Sequence, residues 1–515
     1  MLRDRIDDAL DRAAKQIGQL ARQGDDVTAG RAALAHYRTR LALPMRVAVV
    51  GRISSGKSTL TNALLGCRLV ATGVEELTYN VNWLRYAADP SLLVHFKDGS
   101  APRPFTLSEL EQLTRRREEH QSLLAGIDFI EVFFANDQLR IYDLIDTPGL
   151  DSHFGADSQN TLRFLGSTGQ QVRDATIAHA RGADALLLVF GRSLSEVDIA
   201  ALTELQGPGL ASLSPITAIG VLTKIEDYWR PGEPDPMTSA RRVAGRLMND
   251  PAVKRLLYDV QPVCSKVGAA ADTFTAGDLE TLAALSKLPP QRLATLAGRG
   301  QHFGTREYAD VSVPADVRGP LFRLFSGWGI VLAAELIRDG ATSREELRGQ
   351  LLERSGMARL RTLISAHFGN RAHLIKLQQI VADLRRPDST ADRSMAAISA
   401  EVDGLALNEH GFAELDLLRD HYQGLLSLTG AEAGELLQVT GEHGVWVTDR
   451  LGLSRQATLD EMYECAMRRL AYWKDRTADP GLAGRTRLAA QSLRRSYELL
   501  VHHIGEARRH LELLQ

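Results

Sequence analysis

The chain has 515 residues, of which 44% are hydrophobic and 24% are charged. This length exceeds what one hydrophobic core usually supports, so we expect two or three domains. The formal net charge of −3 provides no basic surplus, and we expect no nucleic acid as a partner. Cys67, Cys264 and Cys465 are few and widely spaced, which indicates a reducing compartment and argues against a C-x-x-C metal or redox site.

The N-terminus is charged throughout and lacks the apolar core of a signal peptide. The longest apolar run near the middle of the chain, Gly329 to Leu336, is interrupted by Glu335. It is well short of the roughly 20 residues that a membrane-spanning helix needs. We therefore expect a cytoplasmic protein whose membrane contact, if it has one, is peripheral to the inner face of the cell membrane.

Residues 2–20 predict an amphipathic helix, because apolar residues recur at helical spacing. The residues that share this face are Leu2, Ile6, Ala9, Ala13, Ile17 and Leu20. We assign residues 1–43 to N-terminal helices that join a helical bundle.

Residues 46–66, RVAVVGRISSGKSTLTNALLG, predict a strand, a phosphate-binding loop and a helix. The loop from Gly51 to Ser58 matches G-x-x-x-x-G-K-[ST], in which backbone N–H groups surround the β-phosphate. Lys57 is expected to reach the β- and γ-phosphates, and the Ser58 hydroxyl to bind Mg²⁺. Gly66 is expected to end the helix. The nucleotide-binding residues predicted in this segment are Gly51, Ser54, Ser55, Gly56, Lys57, Ser58 and Thr59.

Further segments carry the remaining contacts of a P-loop nucleotide site. Thr78 follows the loop and is a candidate to close over Mg²⁺ and the γ-phosphate. Asp146 directly follows a strand predicted over 139–145. Asp146 is expected to hold Mg²⁺ through water, and the Gly149 N–H to meet the γ-phosphate. Apolar runs at 183–190, 218–222 and 260–263 predict three more buried strands.

The last two of these strands lead into Thr223-Lys224-Ile225-Glu226 and Cys264-Ser265-Lys266. The order of phosphate loop, threonine, DTPG, TKxE and CSK matches the five nucleotide-contacting segments of a GTPase. We therefore predict that Thr223, Lys224, Glu226, Ser265 and Lys266 bind the nucleotide, and that GTP and GDP are the ligands.

On these motifs the chain resembles the dynamin superfamily, and most of all the bacterial dynamin-like GTPases. The resemblance implies an α/β P-loop GTPase domain, with a mostly parallel sheet flanked by helices, and an all-α helical bundle domain. It also implies that the first and last helices of the chain join one bundle that relays nucleotide state; a plain helical bundle is the alternative. We place the GTPase domain at 44–340 and the helical domain at 341–515.

Ser54 is a predicted catalytic residue, together with Lys57 and Thr78. In dynamin-like GTPases a serine at this position helps to bind a monovalent cation and to orient the attacking water. The resemblance thus implies K⁺ or Na⁺ beside Mg²⁺, and faster turnover when two GTPase domains pair. Leu150 follows DTPG where Ras-like enzymes soon present a glutamine. The alternative is that Ser54 is simply a small residue in a tight loop.

Glu226 departs from the family pattern T-K-x-D, whose aspartate accepts two hydrogen bonds from guanine. Glu226 keeps the carboxylate but is one methylene longer, so the loop must retract slightly to keep this geometry. Asp227 can replace it only if the loop shifts by one residue. GTP is the expected nucleotide, with ATP left open by the sequence.

The helical remainder carries three features of note. Ser343 to Glu346 form a capping box that starts a helix, and Gly356 ends it. Residues 493–514 repeat apolar residues every four and three positions, as in a bundle or coiled coil. Val445 and Trp446 lie between Gly444 and Val447, either packed into the bundle or in contact with a membrane interface.

Two functions follow from these patterns. The chain is either a GTPase that couples hydrolysis to membrane association or remodelling, or a soluble GTP-controlled switch or scaffold that binds a partner protein.

Overall fold

A computed structural model describes residues 2–52, 54–70, 80–114, 121–148, 183–191, 214–233, 235–385 and 392–512. The predicted site residues Thr78 and Gly149 lie outside these ranges.

The described residues form one nine-stranded mixed sheet with the order β4-β3-β5-β2-β6-β1-β7-β8-β9. Strand β1 is parallel to β6 and β7, and the sheet continues in parallel through β8 and β9. On the other side, β2 is antiparallel to β6. The strands are β1 Met45–Gly51, β2 Val81–Tyr86, β3 Ser91–Phe96, β4 Arg103–Phe105, β5 Ile127–Phe134, β6 Tyr142–Asp146, β7 Ala185–Phe190, β8 Ala218–Leu222 and β9 Val260–Pro262.

The predicted strands are confirmed, with shifts of one to three residues at the starts of β1, β6 and β7. Residues Val47 to Val50 are fully buried, as expected for an apolar strand covered on both faces. Strand β6 begins at Tyr142, three residues later than predicted, because Asp137–Arg140 forms a 3-10 turn. Asn136 caps this turn, since its side chain accepts a hydrogen bond from Gln138 N.

Helices precede and connect the strands, and all the regular secondary structure described after β9 is helical. The α-helices of the described residues are α1 Leu2–Arg22, α2 Thr28–Ala42, α3 Lys57–Leu65, α4 Leu110–Thr114, α5 Gln121–Gly126, α6 Pro236–Met248, α7 Pro251–Leu256, α8 Ser265–Thr273, α9 Ala276–Ser286, α10 Pro290–Ala297, α11 Ala315–Arg338, α12 Arg344–Arg354, α13 Met357–Leu363, α14 Ala372–Leu384, α15 Arg393–Asn408, α16 His410–Tyr422, α17 Gly430–Val439, α18 Val447–Leu451, α19 Leu459–Ala478 and α20 Gly484–Glu512.

The helix caps agree with the sequence. The Ser343 hydroxyl accepts a hydrogen bond from Glu346 N, and the Glu346 side chain accepts one from Ser343 N, so the predicted capping box starts α12. Gly356, with φ of 78°, follows the end of this helix and precedes α13. Gly66 ends α3 with φ of 69°, the left-handed conformation common at helix ends.

Among the described residues, α11 is the one helix long and apolar enough to cross a membrane by length and composition. The sequence prediction did not identify it, because it considered only the run from Gly329 to Leu336. In the structure α11 packs against α8, α9 and α10. Phe325, Ile330 and Ala333 are fully buried within the main core, so α11 is a core helix of this fold.

Helices α1 and α2 form a separate apolar core with α14 and α15. The predicted face of α1 is confirmed, since Ile6, Ala9, Ala13 and Ile17 are buried. At the edge of this core, Arg12 Nε lies 2.7 Å from Glu401 Oε2 of α15. The N-terminal helices therefore pack with helices that follow them by more than 300 residues.

A buried ionic junction connects this four-helix group to the sheet. Arg40 of α2 lies 3.1 Å from Asp184, which immediately precedes β7. Gln379 Nε2 of α14 donates to the Ala183 carbonyl at 3.2 Å. Lys376 Nζ, also of α14, donates to the carbonyl of Leu43. These contacts fix the four-helix group to the N-terminal ends of strands β1 and β7.

The last helix, α20, packs against α19, α16 and α17. Its predicted seam is buried at Leu493, Tyr497, Leu500 and Ile504, but Leu511 is 51% exposed. Helix α1 packs instead against α15 and α2, so the first and last helices have different main partners. The relay bundle implied by the resemblance stays a hypothesis.

Glu442 is the centre of a polar network between the C-terminal helices and the sheet. It accepts hydrogen bonds from Tyr258, which precedes β9, and from Tyr422 of α16. Arg371 Nη2 lies 2.6 Å from Glu442 Oε2, and buried His367 stacks on the Tyr258 ring. These contacts hold the pKa of Glu442 well below its usual range, against the opposing effect of burial.

Four residues after Glu442, Trp446 projects into solvent. Its exposed fraction is 62%, and that of Val445 is 56%. The prediction that this aromatic stretch packs into the bundle is therefore wrong. The guanidinium of Arg455 lies over the Trp446 ring, 5.8 Å from its centroid.

Candidate functional site

The phosphate loop joins β1 to α3 at the carboxyl end of the central strand. A Cβ at Gly51 would lie 2.2 Å from the Val189 carbonyl oxygen of β7, so only glycine allows this approach of the two backbones. Gly56 has φ of 97° and directs the chain into the first turn of α3. The predicted strand, loop and helix are confirmed, and the helix N-terminus points its N–H groups into the loop.

Lys57 lies inside the loop and is almost fully buried. Its Nζ donates to the Gly51 carbonyl at 3.1 Å and to the Arg52 carbonyl at 2.8 Å. Phosphate oxygens carry negative charge and would therefore attract this ammonium more strongly than the neutral carbonyl oxygens do. The ammonium group is therefore already positioned for an anion.

Asp146 lies opposite Ser58 at the end of β6 and is fully buried. Its carboxylate accepts a hydrogen bond from Thr61 Oγ1 at 3.1 Å and lies 3.4 Å from Ser58 Oγ. Burial raises the pKa of Asp146 to about 6, although Lys57 and the two hydroxyls act in the opposite direction. The neighbouring Thr147 hydroxyl donates to the Val49 carbonyl and joins the end of β6 to β1.

These residues fit a magnesium ion. A buried carboxylate with a raised pKa is a strong site for a cation, and Mg²⁺ prefers oxygen ligands. Ser58 Oγ and the Asp146 carboxylate supply such oxygens side by side. Among the described residues, no cluster of three or more His, Cys, Asp or Glu side chains has metal-binding geometry.

Ser54 and Ser55 occupy different environments within the loop. Ser54 is exposed and has φ of 60°, a left-handed conformation that is uncommon for residues other than glycine. Ser55 is buried, and its carbonyl accepts a hydrogen bond from Thr223 Oγ1 at 2.5 Å. Thr223 thus connects the TKxE segment to the phosphate loop, while Thr59 lies half-buried in the first turn of α3.

The base-binding segments meet at the ends of β8 and β9. Cys264 Sγ donates to Glu226 Oε2 at 3.1 Å. Burial raises the pKa of both groups, so the thiol stays protonated and can donate. Lys224 has φ of 56° and is half-buried, whereas Asp227 is exposed. The carboxylate that faces CSK is therefore that of Glu226, and no one-residue shift of the loop is present.

Ser265 and Lys266 start α8 on the far side of this segment. Ser265 is buried, and its hydroxyl has no hydrogen-bond partner within the described part of the chain. Lys266 is half-buried. Both predicted residues therefore lie next to the Glu226 and Cys264 pair.

The structure also reveals three residues that the sequence reasoning missed: Thr61, Asn82 and Cys264. Thr61 follows Ser58 by three positions and shares its helix face, a spacing that could have revealed it. Asn82 is a polar residue within a buried strand, and a polar residue at such a position could have been noticed in the sequence. The partnership of Cys264 with Glu226 had no signal in the sequence.

Comparison with known proteins agrees with this geometry. Residues 47–225 match the Dynamin family. The chain is 28% identical over 471 residues to isoniazid-induced protein IniC of Mycobacterium tuberculosis. The aligned region covers 91% of this chain and 92% of that protein. It is 32% identical over 121 residues to dynamin-like protein 2 of Campylobacter jejuni, covering 24% of this chain and 18% of that protein.

Solved structures give weaker similarities. An oligomerised bacterial dynamin pair, described as a mechanism for the long-range sensing and tethering of membranes, is 13% identical with a TM-score of 0.32. That comparison covers 93% of this chain and 87% of the other. Aquifex aeolicus Era bound to GDP and AlF₄⁻ is 16% identical with a TM-score of 0.25, covering 49% and 67%. Scores this low carry no argument about the present chain.

The family match covers the phosphate loop, the Asp146 segment and the start of the TKxE segment, which are the parts that form the site described above. Over residues 47–225, which include the phosphate loop and Asp146, the chain is therefore similar to the Dynamin family.

Proposed function

We propose that this GTPase hydrolyses GTP to GDP and phosphate with Mg²⁺, that pairing of two GTPase domains stimulates turnover, and that hydrolysis is coupled to membrane association. The observation that carries the proposal is the convergence of Lys57, Ser58 and Asp146 at the end of β1 and β6. Their ammonium, hydroxyl and carboxylate groups are the ones that binding a magnesium nucleotide requires.

Each group has a separate role. Lys57 leaves the Gly51 and Arg52 carbonyls for the β- and γ-phosphate oxygens. Ser58 and Asp146 hold the metal, which when bound neutralises charge on the phosphates. The backbone N–H groups at the start of α3 stabilise the negative charge that develops as the γ-phosphate leaves. Thr78 and Gly149 complete the site in this proposal.

Guanine recognition rests on Glu226. Its carboxylate accepts hydrogen bonds from the base, and the Cys264 thiol fixes the orientation of the longer side chain. Lys224 stacks over the base, and Ser265 and Lys266 support its other side. This arrangement explains how a glutamate can replace the usual aspartate.

Control by self-association is supported by the position of Ser54. Its exposed side chain lies on the outer side of the loop, where a second GTPase domain can reach it. In this proposal Ser54 helps to bind K⁺ or Na⁺ between the phosphates and to orient the attacking water. The facing domain then excludes water and fixes the loops around Thr78 and Gly149.

Membrane contact is supported by the exposed pair Val445 and Trp446. Tryptophan favours the interface between lipid and water, and Arg455 beside it can meet lipid phosphates. We propose that this pair inserts peripherally into the inner face of the cell membrane. Since Glu442 fixes the same loop to Tyr258 near the sheet, contact at the membrane is mechanically linked to the GTPase region.

The Lys57→Ala variant tests the activity. It should lose GTP binding by a factor of about 100 or more, because the phosphates lose their buried cation. The Lys376→Ala variant is the control, since it removes another buried ammonium at the opposite end of β1. Circular dichroism and thermal unfolding establish that both variants fold. Normal GTP turnover by Lys57→Ala would refute the proposed site.

A further inference from the structure

Asn82 is a buried polar residue in the apolar interior of β2. Its side chain is fully buried, and neither Nδ2 nor Oδ1 has a hydrogen-bond partner among the residues that the structure describes. A buried polar group left without a partner costs about 1–3 kcal/mol. A leucine of similar size would avoid this cost, so packing alone does not explain the carboxamide.

The side chain of Asn82 faces the metal-binding carboxylate. Strands β2 and β6 are antiparallel, and Asn82 lies directly opposite Asp146 in their register. Residues in this relationship project from the same face of the sheet with Cβ atoms about 4.5–5.5 Å apart. Thr61 and Ser58 approach Asp146 from α3, so the phosphate-loop helix covers this face.

The amide lies close to the carboxylate across the strand pair. Asn82 helps to lower the pKa of Asp146 against the rise caused by burial. The two groups nevertheless do not meet the geometry of a hydrogen bond, since both Asn82 atoms remain unpaired. The amide is thus close enough to favour the ionised carboxylate, and a small movement would complete the bond.

Asn80 provides an internal comparison two residues earlier. It is also buried, but its Nδ2 donates to the Leu113 carbonyl at 3.0 Å. Asn80 therefore has an ordinary structural role in joining the start of β2 to α4. Of these two asparagines, the one without a partner is the one beside the metal site.

We propose that Asn82 is a positioning residue for the magnesium site. Its Nδ2 would donate a hydrogen bond to the Asp146 carboxylate, and its Oδ1 would accept a hydrogen bond from a water molecule bound to the metal. Both polar atoms are then satisfied when the magnesium nucleotide is bound, so binding recovers the cost that Asn82 imposes on the empty protein. Asn82 acts through Asp146 and does not contact the nucleotide. This inference rests on the proposed Mg²⁺-dependent binding of GTP and GDP.

The test compares Asn82→Leu with Asn80→Leu in the full-length chain. The affinity for a fluorescent GDP analogue is measured at graded Mg²⁺ concentrations and in EDTA. Asn82→Leu should raise about tenfold the Mg²⁺ concentration at which the increase in GDP affinity is half-maximal. This is the usual loss of metal affinity when a group that supports a metal ligand is removed. Its affinity in EDTA should equal that of the wild type, and its thermal unfolding midpoint should be equal or higher.

Asn80→Leu should lower the thermal unfolding midpoint and leave the Mg²⁺ dependence unchanged. Asn82→Ser, which keeps a donor and an acceptor, should restore part of the Mg²⁺ response. An unchanged Mg²⁺ midpoint in Asn82→Leu, or an equal shift in Asn80→Leu, overturns the inference and leaves the proposed function intact. If the GDP affinity of the wild-type protein does not depend on Mg²⁺, both the inference about Asn82 and the proposed function are overturned.

Discussion

Cys264 donates a hydrogen bond to Glu226 across the ends of β9 and β8, with 3.1 Å between Sγ and Oε2. The bond joins the two segments that border the guanine site. A carboxylate that accepts a bond on one oxygen has a fixed orientation, and its other oxygen remains available for the base.

The first prediction concerns this pair. Cys264→Ala should weaken GTP binding about two- to tenfold, because it removes one hydrogen bond from the carboxylate. Glu226→Gln should have a larger effect, since it also removes the charge. Competition of GTP and ATP for a fluorescent nucleotide measures both. Cys465→Ala is the control, as this buried cysteine lies in α19, in the C-terminal helical region. A protein that prefers ATP over GTP tenfold would contradict the guanine assignment.

The second prediction concerns Ser54. Its φ of 60° makes Ser54→Gly the cleaner variant, because alanine would be strained in this conformation. Ser54→Gly should slow hydrolysis about a hundredfold, the effect of losing a group that stabilises the transition state. GTP affinity should change far less, since the phosphates keep their loop and Lys57.

The effect of self-association is tested by measuring the rate of GTP hydrolysis at several protein concentrations. The wild-type rate per molecule should rise with protein concentration and respond to K⁺ or Na⁺, and Ser54→Gly should lose the response to these ions. A wild-type rate that stays constant over a hundredfold range of concentration, with and without lipid, would exclude stimulation by pairing. The chain would then act as a switch that needs a separate activating partner.

The third prediction is a pH dependence. Burial raises the pKa of Asp146 and of Asp143 to about 6, above the ordinary value of 3.8. The folded state therefore binds these two protons more tightly than the unfolded state, so in the nucleotide-free protein Asp143 and Asp146 contribute stability that grows as pH falls through 6 towards 4. Mg²⁺ competes with the proton at Asp146, so Mg²⁺ affinity should fall about tenfold per pH unit below 6.

Asp143→Asn separates the two carboxyl groups. Asp143 pairs with Arg85 at 3.3 Å, and because it is three positions from Asp146 on β6, it projects from the other face of the sheet. The variant should lose part of the pH-dependent stability measured by thermal unfolding, yet keep the pH profile of Mg²⁺ binding. Loss of that profile would show that Asp146 is not the group that titrates.

The fourth prediction concerns Trp446. The double variant Val445→Ser and Trp446→Ser should lose flotation with liposomes that carry anionic lipid, because it removes the exposed apolar pair. Leu488→Ser is the matched control, since Leu488 is equally exposed on α20, at 63%. Equal flotation of all three proteins would exclude this loop as the membrane contact. If the wild type does not float with or without GTP, the soluble switch is the better description.

Much of the nucleotide site was predictable from the sequence because its signals are local. The glycines of the loop, the apolar strands before each motif and the stop at Gly66 each depend on neighbouring residues. Strands β2 to β5 were missed because each is only partly buried, so the period of their apolar residues is indistinct. The side-chain pairs at the site were missed for a different reason. Asn82 and Asp146, or Cys264 and Glu226, are neighbours through strand order, which no local pattern encodes.

The partnership of α1 with α15 has a consequence for synthesis of the chain. Arg12 and Glu401 are 389 residues apart in sequence. At about 5–20 residues per second, a ribosome needs roughly 20–80 seconds to make the partner after α1 has emerged. Until α14 and α15 are made, α2 is the one other helix of this described core that can cover Ile6, Leu10 and Ile17. Chaperones that bind exposed apolar helices therefore have a long opportunity to act on the first part of this protein.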